Sequence, residues 1–328
     1  MQAMEPDREA EATLRKHYLL FAHDQPEHVA RLVGRLDDGQ STFWLHLDAR
    51  SEISLWKSVV DLDPVVLVEP RVRVIWGTWS LVEAMLAMVR ACLDSGSPGY
   101  VVMISGQSYP VKSTAFIDTY LAQHRQLLHM DLWELADHWP HNYRNRLDYF
   151  CVPLSDTKGD LGLLRRRQDM NLRELLGWSR SLARRLGFRQ ALATMRLIGK
   201  PRPDVADRVI GGSMWWAMPW EVLETLMEHH ARHPEYAEFL RWSQFADEAF
   251  FQTLLVTLDP DIRTRIAPTL THVDWTEGDW DLPRTMGADD VPGLMALPDH
   301  VIFARKFLEP ASSDARAAVD EALAEKGW

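Results

Sequence analysis

The segment ADEAFFQTLL, residues 246–255, sets two carboxylates, Asp247 and Glu248, at the head of a strongly apolar helical run. Acids in a helix's first turn are favoured by the dipole, so an ordinary N-terminal pair accounts for them. A carboxylate held against an apolar wall has a second use: desolvation penalises its charged form, raises its basicity and suits it to general-base work. Upstream, FWLHLDARS, residues 43–51, reads as a strand running directly into His46, Asp48 and Arg50. Polar groups at the carboxyl end of a strand in an open α/β sheet sit where ligands bind, and an aspartate there can accept hydrogen bonds from a ribose or a uracil ring. RTMGADD, residues 284–290, and FARKF, residues 303–307, place Arg284, Arg305 and Lys306 in an otherwise acidic C-terminal third. Solvated loop cations are the bland reading. Converging in space, they would clamp a diphosphate, Arg supplying a fork and Lys a point charge.

Other chemistries find little purchase. The P-loop, GxGxxG, HExxH and CxxC signatures are absent. His229 and His233 have the i, i+4 spacing of a metal pair, but no third ligand is in view and helix-surface histidines explain them. Asp259-Pro260-Asp261 follows a helix and reads as a helix stop.

The elements that must carry these groups follow from periodicity. Residues 18–22 (YLLFA) predict a strand and Pro26 opens a helix to about Leu36. Residues 43–47 predict a second strand, 65–68 or 72–76 a third, 80–93 a helix closed by Gly96, and 100–104 a fourth strand. Strand–helix units in series predict an α/β fold built on a Rossmann-like, mostly parallel sheet. Further on, residues 209–217 read as a buried strand, 220–230 and 246–257 as helices, 273–275 and 301–304 as strands, 287–298 as a loop and 312–326 as an alanine-rich helix.

With 328 residues, 46% of them hydrophobic, the chain can bury a large core. A net charge of -11 argues against a nucleic-acid-coating role, which needs concentrated positive charge. Only Cys92 and Cys151 occur, too few for a disulfide framework. The first residues carry no apolar run, and no later stretch approaches the roughly 20 apolar residues of a spanning helix, so a soluble, cytoplasmic protein is expected. Between Gly162 and Arg202, eleven Arg or Lys face only Asp169 and Glu174, a local balance of +9 that leaves -20 for the rest. Leu172, Leu175, Leu176, Leu182 and Leu186 fall on one helical face there, with Arg173, Arg180 and Arg184 on another. A solvated basic face, an anionic acceptor, or peripheral contact with an anionic membrane are the three readings.

Taken in order, YLLFAHDQP, FWLHLDARS, VIWGTWSLVEA, MISGQSYPVKS, GGSMWWAMP, ADEAFFQTLL and FARKF resemble the landmark segments of the core-2/I-branching N-acetylglucosaminyltransferase and peptide O-xylosyltransferase family, glycosyltransferase family 14, over about residues 17–308. The resemblance implies a GT-A type fold over residues 17–310, with a nucleotide-binding half to about 125 and an acceptor and catalytic half after it. A polar extension, 1–16, would precede it and a C-terminal helix, 311–328, follow it. It also implies inverting transfer of N-acetylglucosamine, alternatively xylose, from a UDP-sugar to a glycan hydroxyl, with no metal and no other cofactor. A nucleotide- or glycan-binding module without turnover is the other reading. On this resemblance Glu248 falls on the catalytic base; His46, Asp48, Arg50 and Trp76 lie near the nucleotide; Arg284, Arg305 and Lys306 hold the diphosphate; and Trp275, with Trp215 and Asp247, stands on the acceptor side. Two positions depart from the pattern: Ser108 stands where family members commonly carry Asp, and Met214 where xylosyltransferases carry Asp, a difference that leans away from xylose. Animal relatives carry a membrane anchor and many cysteines, so a bacterial-type cytoplasmic enzyme of polysaccharide synthesis is expected.

Overall fold

The computed structural model describes residues 14–276, 278 and 282–325, so residues 1–13 of the expected polar extension and the end of the expected tail helix lie outside it. The first half of the chain alternates strand and helix: β1 (Lys16–Ala22), α1 (Pro26–Leu36), β2 (Ser41–Leu47), β3 (Val65–Leu67), α2 (Ser80–Asp94) and β4 (Tyr100–Ser105). A short β5 (Ser108–Pro110), α3 (Thr114–Gln123) and β6 (Leu128–His129) follow. After the basic helices α4 (Leu172–Leu186) and α5 (Phe188–Leu197) come β7 (Ala217–Pro219), α6 (Trp220–Arg232), α7 (Phe250–Leu258), β8 (Ile266–Ala267), β9 (Thr271–Val273), β10 (Phe303–Arg305) and α8 (Ser313–Glu325).

Seven strands form the central sheet in the order β8-β6-β7-β4-β1-β2-β3. The β1–β2, β1–β4, β2–β3 and β6–β8 pairs are parallel, and β7 is antiparallel to both neighbours. This is the expected mostly parallel α/β sheet, consistent with a GT-A-like fold. A parallel sheet covered on both faces demands apolar residues at every position, with alternate ones serving different cores. Leu19, Trp44, Val101 and Met103 pack with α2, α6 and α7 on one face. Tyr18, Leu20, Phe43, Leu45, Val102 and Ile104 pack with α1 on the other.

The first strand begins two residues before the apolar run. Lys16 opens it, fully buried, its ammonium paired with Asp38 beyond α1 and Asp118 on α3. Burial pushes both carboxyls upward; for Asp38 the hydrogen bonds from Lys16 and Ser41 more than offset this, whereas for Asp118 burial prevails. Of the two candidates for the third strand, Val65–Leu67 forms the ladder. The predicted buried strand over 209–217 divides into Ile210–Gly211, which pairs with Trp133–Glu134, and β7, with residues 212–216 crossing between them. Gly212 explains the break: a β-carbon there would lie 2.1 Å from the Asp131 carbonyl oxygen, so only glycine lets the chain pass. Residues 287–298, predicted as a loop, contain a 3-10 turn (Ala288–Asp290) and a helical turn (Val291–Met295), because Val291 and Leu294 bury against α8.

Removing one partner of a buried ion pair strands the other, at a cost of about 3 kcal/mol or more. Lys16→Ala is therefore expected to lower the unfolding free energy by about that amount in urea melts. A loss below about 0.5 kcal/mol would show the cluster to be dispensable.

Candidate functional site

Three groups of candidate side chains sit on different parts of the fold. The first lies at the carboxyl end of β2. Asp48 is buried, and both its oxygens are taken: Arg50 binds them in a fork, Nε to Oδ1 and Nη2 to Oδ2, each at 2.9 Å. The Arg50 and Val74 backbone N–H groups donate to the same carboxylate. Next to it, the Val72 N–H donates to His46 Nε2 at 3.0 Å, an acceptor role consistent with burial pulling that imidazole down to about 4. The second candidate strand, 72–76, thus forms no ladder but is fastened by the side chains of His46, Asp48 and Arg50 and by the bond from Ala49 N–H to the Val72 carbonyl.

The second group surrounds Glu248. The predicted helix over 246–257 is interrupted: Ala246–Glu248 form a 3-10 turn, Ala249 leaves the helical region, and α7 starts at Phe250. Phe245, immediately before the turn, adopts a left-handed backbone, φ 54°, and donates its N–H to the Gly77 carbonyl at 3.0 Å. The Glu248 carbonyl accepts from Gly212 N–H at 2.7 Å. Its carboxylate is half-buried and meets Arg146, whose guanidinium is 3% exposed and stacks 3.7 Å from the Trp139 ring centre and 5.0 Å from that of Phe245. Trp76 packs edge-on against Phe245 at 4.8 Å. Burial raises the Glu248 carboxyl, and Arg146 opposes it by charge and hydrogen bond. Asp247 is buried with Oδ1 lacking any hydrogen-bond partner among the described residues, and burial followed by the Glu248 charge pushes it up to about 7. At 4% exposure it presents almost no surface to an acceptor in this structure.

The third group is basic. β10 pairs with β5 and β9, setting Arg305 opposite Ser108 and Val273. The half-buried Arg305 guanidinium lies 4.7 Å over the Trp215 ring, and burial pulls it down to about 10, still cationic at neutral pH. Arg284 is forked between Asp274 and Asp290, and its carbonyl accepts from Lys306 N–H at 3.4 Å. Arg305 thus ends the central strand of this small sheet, Lys306 follows it, and Arg284 is joined to Lys306 through the backbone. Trp215 is itself buried beneath Arg305, whereas Trp275, past the end of β9, is 61% exposed.

Backbone joins the groups. Gly212, which holds Glu248, and Trp215, which carries Arg305, are three residues apart, a span of at most about 11 Å. In the other direction, Glu309 N–H reaches Gln25 Oε1 at 3.0 Å and Phe307 N–H the Gln107 carbonyl. Gln25 borders a cleft of about 380 Å³ at the carboxyl ends of β1 and β2, lined also by His23, Asp24, Glu27, Ser51 and Trp56. Open α/β sheets bind ligands at such strand ends. Its acidic lining disfavours phosphate and suits neutral hydroxyl-bearing groups.

Over residues 18–150 the chain matches the family model Core-2/I-Branching enzyme. The match runs from β1 to the strand beginning at Phe150, and so takes in His46, Asp48, Arg50, Trp76 and Arg146. It stops before Trp215, Asp247, Glu248, Trp275, Arg284, Arg305 and Lys306. No curated protein matches the chain. The family consists of glycosyltransferases, and by this match and its sheet the chain is a glycosyltransferase that draws on a nucleotide-sugar donor.

Sequence reasoning missed Arg146 and the cleft residues. Nothing local distinguishes Arg146, whose partner is 102 positions away, from Arg144, the other arginine of HNYRNRLDY. The cleft residues had a signal, since HDQP directly follows the first strand. His229 and His233 stack 4.4 Å apart, bonded to Thr257 and Glu235 respectively. Both cysteines are free and buried.

Asp247 offers a test of the electrostatics. A carboxyl raised on folding binds its proton more readily in the native state, so it withdraws stability as pH climbs from its unfolded value, about 4, toward its folded one. Asp247→Asn is expected to flatten the pH dependence of the urea midpoint over that interval and to stabilise the protein by about 2 kcal/mol at alkaline pH. Parallel urea melts of both proteins across the interval measure this, and identical profiles would show that Asp247 is not perturbed.

Proposed function

We propose that the chain transfers a sugar, N-acetylglucosamine in preference to xylose, from UDP to a glycan hydroxyl with inversion and without a metal, Glu248 acting as general base. Inverting transfer is one displacement at the anomeric carbon, with oxocarbenium character at the transition state. It needs a proton acceptor for the incoming hydroxyl on one side and compensation for the departing diphosphate on the other.

The observation that carries this reading is the 212–215 segment, which holds Glu248 by its backbone at one end and seats Arg305 on Trp215 at the other. Fixed cations supply compensation with no reorganisation as the bond breaks. Arg305 is kept rigid by its aromatic platform, and Arg284 by Asp274 and Asp290. The nucleoside end of the donor suits the 380 Å³ cleft, which the chain leaving Lys306 borders through Glu309 and Gln25. Arg146 has a role of its own: by opposing burial it favours the ionised form of Glu248, the form able to take a proton, and so acts through the base. Met214, in place of the carboxylate that xylosyltransferases carry, favours the N-acetylated donor.

Glu248→Gln is expected to reduce UDP release from UDP-N-acetylglucosamine and acceptor by about 10²–10⁴-fold while leaving UDP affinity near wild type. Near-normal turnover in that variant would place the base elsewhere. UDP release by the wild type should be unchanged by EDTA, and dependence on added cation would overturn the metal-free reading. Arg305→Ala is expected to weaken UDP binding by about tenfold or more, read by calorimetry. In Arg146→Met the acid limb of the kcat/KM pH profile should move to higher pH, since the influence that lowers Glu248 is gone; an unmoved limb would reduce Arg146 to a packing role.

A further inference from the structure

We propose that the basic hairpin of α4 and α5 is a docking surface for an anionic phospholipid bilayer. Asn171 caps α4 with a reciprocal box, its side chain accepting from Glu174 N–H and its N–H donating to the Glu174 carboxylate, each at 2.9 Å. Gly187, at φ 81°, a conformation side chains rarely adopt, breaks the chain between the helices, and they pack side by side. Their common inner face is apolar, with Leu182, Ala191 and Ile198 buried beside Phe150, Val152 and Leu164.

What this core leaves outside is unusual for a solvated face. Leu172 is 71% exposed and Leu176 46%; Phe188 is 76% exposed and Leu192 40%. At about 100° per residue, each pair lies one turn apart on the same side of its helix. Arg173, Arg180 and Arg184 form the neighbouring strip on α4, as Arg189 and Arg196 do on α5, about 60° further round from the apolar pair. Both helices therefore repeat one layout: a buried face, an exposed apolar pair, then guanidinium groups. Among the described residues none of those five arginines has a carboxylate within ion-pair distance. A helix face held in place only by intramolecular ion pairs would not look like this. The segment's +9 sits in a chain of net -11, so attraction to an anionic surface is confined to this region. Apolar side chains to enter the acyl boundary and long cationic ones to reach the headgroups are the components of interfacial helices. Polybasic attraction to acidic lipid acts at the same distance.

The proposal is independent of the sugar-transfer chemistry and is tested without it. The protein is floated on vesicles of phosphatidylcholine alone and on vesicles of phosphatidylcholine and phosphatidylglycerol in equal parts. Flotation with the anionic vesicles only, reversed by high salt, is expected of the wild type. Leu172→Ser with Phe188→Ser should lower the partition coefficient at least about tenfold. Arg180→Gln, Arg184→Gln and Arg189→Gln together should lower it on the order of a hundredfold. All these side chains are exposed, so thermal melts should match wild type and exclude misfolding as the cause. Absence of flotation, or equal flotation on neutral vesicles, overturns the proposal. So does full binding by the serine variant, which would make the hairpin a polyanion surface and not a bilayer one.

Discussion

Glu248 is placed by its main chain, and much of the site geometry depends on that fact. Two hydrogen bonds, Phe245 N–H to Gly77 and Gly212 N–H to the Glu248 carbonyl, fasten the 245–248 turn between the segment after β3 and the crossing at 212–216. The first comes from the half of the chain that carries the family match, the second from the half that carries the base. A loop fixed in this way holds its carboxylate without relying on the side-chain partner. Arg146 is then free to adjust the carboxylate's ionisation, and its own position is set by Trp139 and Phe245.

The strands and helices of the first hundred residues were legible because their apolar content is dictated by burial on both faces of a parallel sheet. Residues 18–22, 43–47 and 100–104 are long enough for that demand to show. Elements defined by tertiary contact were not. Phe245 is left-handed where its N–H meets the Gly77 carbonyl, and no local feature of SQFADE announces a 3-10 turn there. The division of residues 209–217 follows from the approach of Asp131 to Gly212, a contact across 81 positions. Lys16 reads as part of a polar leader until Asp38 and Asp118 are seen around it.

The site was half legible on the same grounds. Glu248 and the three C-terminal cations were singled out by residue type, and the structure joins Arg284 by its backbone to Lys306, next to Arg305 at the end of β10. His46, Asp48 and Arg50 were read as open to a ligand, whereas in this structure all three fasten the 71–74 segment, and Arg50 also forks onto Asp48. Residue type told which groups could do chemistry; only the fold tells which are already engaged.

That fastening gives the rim of the molecule a particular mechanical character. A strand zipped in by a continuous ladder can leave a sheet only by cooperative loss of many bonds. The 71–74 segment is tied at separate points, Val72 to His46 and Ala49, Val74 to Asp48 and Arg50, and the Arg71 side chain to the Asp48 and Ser51 carbonyls. Such a rim comes away bond by bond and not as one cooperative unit, with Trp76 at its far end held by packing against Phe245.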